Sequence, residues 1–122
     1  MKIYTSYYKK IERDPRGLIP VRISTSEPKW FTWYCETIPE LYPGWDLVNG
    51  IKSETLSYQD YERIYKERLK NLDRNEILAK LEKISHMCGD RDIVLLCYEV
   101  PEDFCHRHFV AEWLDCNVTE LI

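Results

Sequence analysis

The sequence predicts an α/β protein: a single layered domain with a mostly parallel small sheet flanked by helices. Residues 92–98 carry the continuous apolar run Ile93-Val94-Leu95-Leu96-Cys97, which suits a strand covered on both faces at the centre of a parallel sheet. Strand-like and helix-like segments alternate along the chain, as in layered α/β folds. The 122 residues are enough for one core and too few for two, so residues 1–122 are read as one domain.

Taken in order, residues 2–5 read as a first strand, with Ile3 and Thr5 on one face and Tyr4 on the other. Tyr7-Tyr8-Lys9-Lys10 reads as an amphipathic loop. After the Asp14-Pro15-Arg16-Gly17 turn, residues 18–23 form a second strand; Pro20 lacks a ladder donor and must lie at an edge, a start or a bulge. Residues 24–49 combine Pro28, Pro39, Pro43 and Gly44 with Trp30, Phe31, Trp33, Tyr34, Tyr42 and Trp45. Prolines interrupt regular elements while large rings resist exposure, so an ordered, packed excursion is expected.

Ser57-Tyr58-Gln59-Asp60 has the form of a capping box. The helix it opens runs to about Asn71, with Tyr61, Ile64, Tyr65 and Leu69 at helical spacing. Asp73, with Glu76 three residues later, caps a second helix bearing Ile77, Leu78, Leu81 and Ile84, which Gly89 can end. Beyond the buried strand, Asp103 is placed to cap a third helix through Leu114, and residues 118–121 form a last strand.

Composition excludes several classes. An apolar fraction of 44% with 31% charged residues is a globular balance, not a disordered one. No apolar run approaches the ~20 residues that cross a bilayer, and the chain opens on strand-like sequence, not a signal peptide. No membrane partner and a cytoplasmic location are expected. The net charge of −4, with basic and acidic residues interleaved, argues against a nucleic-acid partner. Five cysteines, an odd number, one of them inside the central apolar run, read as reduced thiols. Nothing in the sequence sets the oligomeric state.

Chemistry is expected where the central strand ends, because open parallel sheets place ligand crevices at the carboxyl ends of their strands. Cys97, Glu99, Cys105, His106 and Arg107 fall there. A helix start offers free N–H groups and partial positive charge, and Arg107 adds a fork suited to phosphate or carboxylate; a small anionic ligand fits, as does the plainer reading in which Arg107 pairs with Glu99. His106 shares a helical face with Phe109, Val110 and Trp113. It is therefore read as a core histidine bonded to Glu99 or a backbone carbonyl, with a general base as the alternative.

Cys105, near a helix start, is a candidate nucleophile, although adjacent residues on a helix do not face each other. Cys97 reads as a small core residue that can also border the ligand. Cys88, Cys97, Cys105 and His106 carry zinc-type donor atoms but lack the Cys-x-x-Cys pairing, so neither a metal nor a cofactor is assigned.

Leu95-Leu96-Cys97-Tyr98-Glu99, then Cys105-His106-Arg107 followed by Ala111-Glu112-Trp113-Leu114, resembles the bacterial and phage proteins of domain of unknown function family 488. The likeness extends to Ile3-Tyr4-Thr5, and to Arg22 with Pro28 beyond it; residues 30–45 look like a shorter subgroup version. The resemblance implies a compact α/β fold with its signature at this turn, and no particular reaction.

These residues lead to a ligand pocket at 97–107 for a small anionic or nucleotide-like molecule, bound through Arg107, His106, Arg22 and Cys97. Two alternatives stand beside it: an enzyme using Glu99 or Cys105 as base or nucleophile, and a protein-interaction module built on the aromatic loop 30–45.

Overall fold

The computed structural model describes residues 1–98 and 105–121. Five strands, β1 (Ile3–Tyr7), β2 (Ile19–Arg22), β3 (Glu36–Thr37), β4 (Ile93–Cys97) and β5 (Val118–Glu120), form one sheet in the order β3-β2-β4-β1-β5. Every pairing is parallel. The helices are α1 (Tyr8–Arg13), α2 (Trp45–Lys52), α3 (Tyr58–Lys70), α4 (Arg74–Met87) and α5 (Arg107–Leu114), with a 3-10 turn over Pro39–Leu41.

β4 is the centre the apolar run predicted: all five of its residues are buried. Its side chains alternate between two cores. Ile93, Leu95 and Cys97 join the large cluster formed with residues of α2 to α5, whereas Val94 and Leu96 pack with Tyr8, Ile11 and Phe31 on the opposite face. A strand with both faces covered has no room for polar alternation, which is why the sequence there is uniformly apolar.

Helix starts follow their caps. The Ser57 side chain accepts from the Asp60 amide to open α3, and Asp73 accepts from the amides of Asn75 and Glu76 to open α4. Gly89, at φ 82°, follows the end of α4.

Two segments depart from the sequence expectation. Tyr7-Tyr8-Lys9-Lys10 is not a loop: the chain passes from β1 straight into α1, which is too short to show a period but buries Tyr8 and Ile11 one turn apart. The excursion after β2 is ordered, yet its burial comes from Phe31, Ile38 and Leu41, while Trp30, Trp33, Tyr34 and Trp45 are exposed. Its last part is regular, because Trp45 begins α2.

Pro20 sits inside β2 without losing a bond. The amides of Ile19 and Ile23 donate toward β4, so by alternation Pro20 faces the other side, where β3 pairs only with Val21 and Arg22.

The buried position of β4 carries a measurable cost. Leu95→Ala is expected to lower unfolding free energy in urea by about 2–5 kcal/mol, whereas Tyr34→Ala, at 78% exposure, should stay within ~0.5 kcal/mol. A near-neutral Leu95→Ala would contradict the two-sided core.

Candidate functional site

The connections that leave β2 and β4, neighbours in the sheet, part to opposite faces. Between β2 and β3 the chain puts Phe31 and Cys35 against the Tyr8 cluster, while α5, which follows β4, packs with the larger core through Val110 and Leu114. Diverging connections leave a crevice outside the carboxyl ends of the two strands. A cavity of about 800 Å³ lies there.

One wall is Ser24, Thr25 and Ser26 after β2, another is α2 and the start of α3, and Cys97, Cys105 and His106 line it from the β4 and α5 side. The β2 wall is held by its own bonds: Tyr8 donates to Ser24 Oγ (2.5 Å), which donates to the Ser26 carbonyl (2.5 Å). The Gly44 amide donates to Thr25 Oγ1 at 3.1 Å, tying the entry of α2 to this wall. Gly44 has φ 89°, and a Cβ there would lie 2.8 Å from Asp46 Oδ1, so glycine is required where the chain turns into α2.

His106 is fixed by two neighbours. Its Nε2 lies 2.6 Å from the Ile23 carbonyl, and a carbonyl only accepts, so Nε2 carries a proton. The Tyr65 ring meets it edge-on at 5.3 Å, and Tyr65 is itself anchored by donating to the Leu41 carbonyl at 2.6 Å. In the neutral ring Nδ1 is then the free acceptor, and it lies 3.9 Å from Cys105 Sγ and 3.6 Å from Cys97 Sγ. The expected core histidine bonded to a backbone carbonyl is what the structure contains, and the same ring also borders the cavity.

The objection that residues 105 and 106 cannot meet does not apply. α5 begins at Arg107, so Cys105 and His106 lie in the turn before it, where neighbouring side chains can converge. The two thiols are driven apart in acidity. Burial raises both, but Cys97, beside the Cys105 sulfur, is pushed further up, while Cys105, facing the Cys97 thiol, His106 and the charge of Arg107, is held well below its ordinary value.

The Cys97 and Cys105 sulfurs and one ring nitrogen of His106 lie within 4.8 Å of one another. Cys97 Sγ is almost equidistant from Nδ1 and Nε2, at 3.6 and 3.8 Å. That places it beside the ring and away from the in-plane lone pair through which imidazole binds a metal, and Nε2 is already committed to Ile23. This is a thiol–imidazole cluster rather than a formed ligand cage.

Arg107 is 0% exposed. Its partner is Glu120 on β5: Nη2 donates to Oε2 at 2.9 Å, Nε donates to both carboxylate oxygens, and the Thr5 hydroxyl adds a bond to Oε1 at 2.5 Å. Burial opposes the guanidinium charge, but Glu120 and the nearby thiols reverse that, so the group is more firmly protonated than a free arginine. Nη1 has no partner among the described residues. Arg107 is not among the cavity-lining residues and lies close enough to act on Cys105 and Cys97 through its charge.

Arg22 is likewise not among the residues lining the cavity. Its Nε donates to the Tyr42 hydroxyl at 3.0 Å, its guanidinium lies 4.8 Å from the Tyr42 ring centre, and Glu27 is nearby. Glu99, Glu102 and Asp103 lie outside the described residues. His108 is half-buried. Of the aromatic excursion, Trp45 and Pro43 reach the cavity; Trp30, Trp33 and Tyr34 do not line it. Sequence reasoning missed Lys52, Tyr58 and Tyr98 as wall residues and Glu120 as the arginine's partner.

The family model of the active DUF488-N3 subclade matches residues 7–118, nearly the whole chain. The chain belongs to the DUF488 family. No match was found among curated proteins or solved structures. In this DUF488 protein Cys97-Tyr98 and Cys105-His106 from the two halves of the signature meet at the crevice, and Arg107, which does not line it, is tied to β5.

Two outcomes follow. Glu120→Ala strands a buried cation and should cost about 3–5 kcal/mol in urea unfolding, whereas Glu62→Ala, which removes an exposed helix pair with Lys66, should cost ~0–1 kcal/mol. Equal effects would show that the Arg107 pair is not desolvated. Thiol alkylation by iodoacetamide follows the thiolate fraction. At about pH 6, Cys105 should be modified first despite being 7% exposed, ahead of exposed Cys116 and of Cys35, whose thiol burial pushes up to about 12. The Cys105 rate should level off at a pH where ordinary thiols are still rising; a profile that climbs toward ~8.5 would exclude a stabilised thiolate.

Proposed function

We propose that this protein is a cysteine-nucleophile enzyme acting on a small anionic, nucleotide-like ligand bound in the crevice between β2 and β4. The observation that carries the reading is the convergence of Cys105, Cys97 and His106 on one cavity at the carboxyl end of a parallel sheet. Nucleophile, base and orienting group are all present: Cys105 Sγ, His106 Nδ1, and the Ile23 carbonyl that holds Nε2.

In this scheme the Cys105 proton passes to His106 Nδ1. The thiolate attacks an electrophilic carbon of the ligand, an S–C bond forms, and the bond to the leaving group breaks as Nδ1 returns the proton to it. Where that carbon is an acyl carbon the adduct is a thioester; water, giving its proton to Nδ1, adds to it, and the S–C bond breaks as Nδ1 returns the proton to Cys105 Sγ.

The walls support the ligand class. Among the described residues no aspartate or glutamate lines the cavity, and Lys52 does, although the chain as a whole carries net charge −4. Trp45, Tyr58 and Tyr98 line it with partly exposed rings suited to stacking on a flat heterocycle. The anion-attracting role expected of Arg107 thus falls to Lys52, while Arg107 serves the Cys105 thiolate.

A thermal-shift screen with nucleoside monophosphates and aromatic carboxylates tests the site. Lys52→Ala and Trp45→Ala should each weaken the stabilising compounds by roughly tenfold, ~1.4 kcal/mol. Cys105→Ala should bind them and not convert them. Binding unaffected by both wall variants would sink the pocket assignment, and conversion retained by Cys105→Ala would sink the nucleophile.

A further inference from the structure

A single nucleophile does not account for a second thiol beside it. Cys97 ends the central strand, is 1% exposed, and lines the same cavity as Cys105. The two sulfurs lie no more than 4.8 Å apart. A disulfide needs them at about 2.05 Å, and rotation of one cysteine about χ1 carries its sulfur through about 3 Å. Cys105 precedes α5, so no helical turn restricts that rotation. Cys97 is held in place by β4, which gives the pair one mobile and one fixed member.

We propose that Cys97 and Cys105 form an oxidation site for small hydroperoxides, in which Cys105 is the attacking sulfur and Cys97 the resolving one. The inference rests on the reading of Cys105 as the thiolate of the cavity. The Cys105 thiolate attacks the terminal peroxide oxygen; the O–O bond breaks, an S–O bond forms, and the other oxygen leaves as an alcohol or, from hydrogen peroxide, as water. The Cys97 thiol then attacks the sulfenic sulfur, an S–S bond forms, and the hydroxyl leaves as water with the Cys97 proton. Two thiols lose two electrons and the peroxide gains them, so the products are one disulfide, one alcohol and one water.

The geometry makes this a local event. Cys97 Sγ is already beside the His106 ring, at 3.6 Å from Nδ1, and Cys105 Sγ lies 3.9 Å from the same nitrogen, so one ring borders both sulfurs. The cavity opens onto Cys105, so a small peroxide can reach the attacking sulfur while Cys97 needs no solvent access of its own. Formation of the bond would remove the nucleophile reversibly and spare it irreversible oxidation.

The test exposes the whole reduced protein to limiting hydrogen peroxide near neutral pH, followed by alkylation and peptide mapping. The expected result is loss of two hydrogen masses, located as a Cys97–Cys105 link that dithiothreitol reverses, with Cys35, Cys88 and Cys116 still alkylated. Cys97→Ser should instead accumulate a dimedone-trapped sulfenic acid at Cys105, several-fold above wild type. Cys105→Ser should leave Cys97 reduced. The wild-type mapping needs no variant, so it decides the matter even where Cys97→Ser fails to fold. Conversion of Cys105 to sulfinic or sulfonic acid without the link, or a link to Cys116, would overturn the proposal. With rapid Cys105 alkylation and lost conversion in Cys105→Ala, that result defeats the oxidation site alone. A Cys105 inert to both iodoacetamide and peroxide defeats the nucleophile reading with it.

Discussion

A guanidinium cannot shed its proton at any accessible pH, so an arginine with no exposed surface must be given an anion or the fold pays several kcal/mol. Arg107 is in that position, and Glu120 supplies the anion in a forked geometry with Thr5 bonded to the same carboxylate. Three elements meet at this one group: β1 through Thr5, α5 through Arg107 and β5 through Glu120. β5 pairs with β1 over only three residues, so a short edge strand is anchored by its side chain as much as by its ladder. The start of α5 is fixed by the same pair, and Cys105 and His106 stand immediately before that start.

The elements that followed from local physics were legible in the chain. β4 was visible because burial on both faces leaves only apolar residues, and α3 and α4 because Ser57 and Asp73 cap them where an apolar stripe begins. α1 was hidden because its six residues give no period, and α2 because Pro43 and Gly44 precede it and Trp45 at its first position is exposed. The burial of rings in the aromatic excursion was overstated: a large ring resists exposure on average, but here Ile38 and Leu41 seal the core and leave Trp30, Trp33 and Tyr34 outside.

The site shows the same division. The place and the residues Cys97, Cys105 and His106 could be read, because a strand end followed by a helix start is a local pattern. Proximity favoured Glu99, which lies outside the described residues; among those described, the residue that pairs with Arg107 is thirteen positions on and could not be read by proximity. A signal was present. Val118 and Glu120 alternate about Thr119, so they share a face, and an acid on the inward face of a strand calls for a buried base. Lys52, Tyr58 and Tyr98 come to the cavity from three separate elements, an arrangement that only the tertiary path of the chain creates.

The anion site expected at the start of α5 has a different occupant from the one its sequence suggests. Free N–H groups, a helix start and an arginine do favour negative charge. Yet two of the three guanidinium nitrogens are bonded to Glu120, and the arginine does not line the cavity. The groups that lie both within its field and on the cavity are the Cys105 and Cys97 sulfurs, and of the two it is Cys105 that is held toward the thiolate. An external phosphate placed there would compete with an internal thiolate for the same charge. The proposed function therefore gives Arg107 the thiolate and Lys52, on the α2 wall, the ligand. Arg107 acts on both sulfurs, so their asymmetry comes from their other neighbours: burial and Cys105 hold Cys97 toward the thiol, while Cys97 and His106 hold Cys105 toward the thiolate, the state the proposed chemistry calls for.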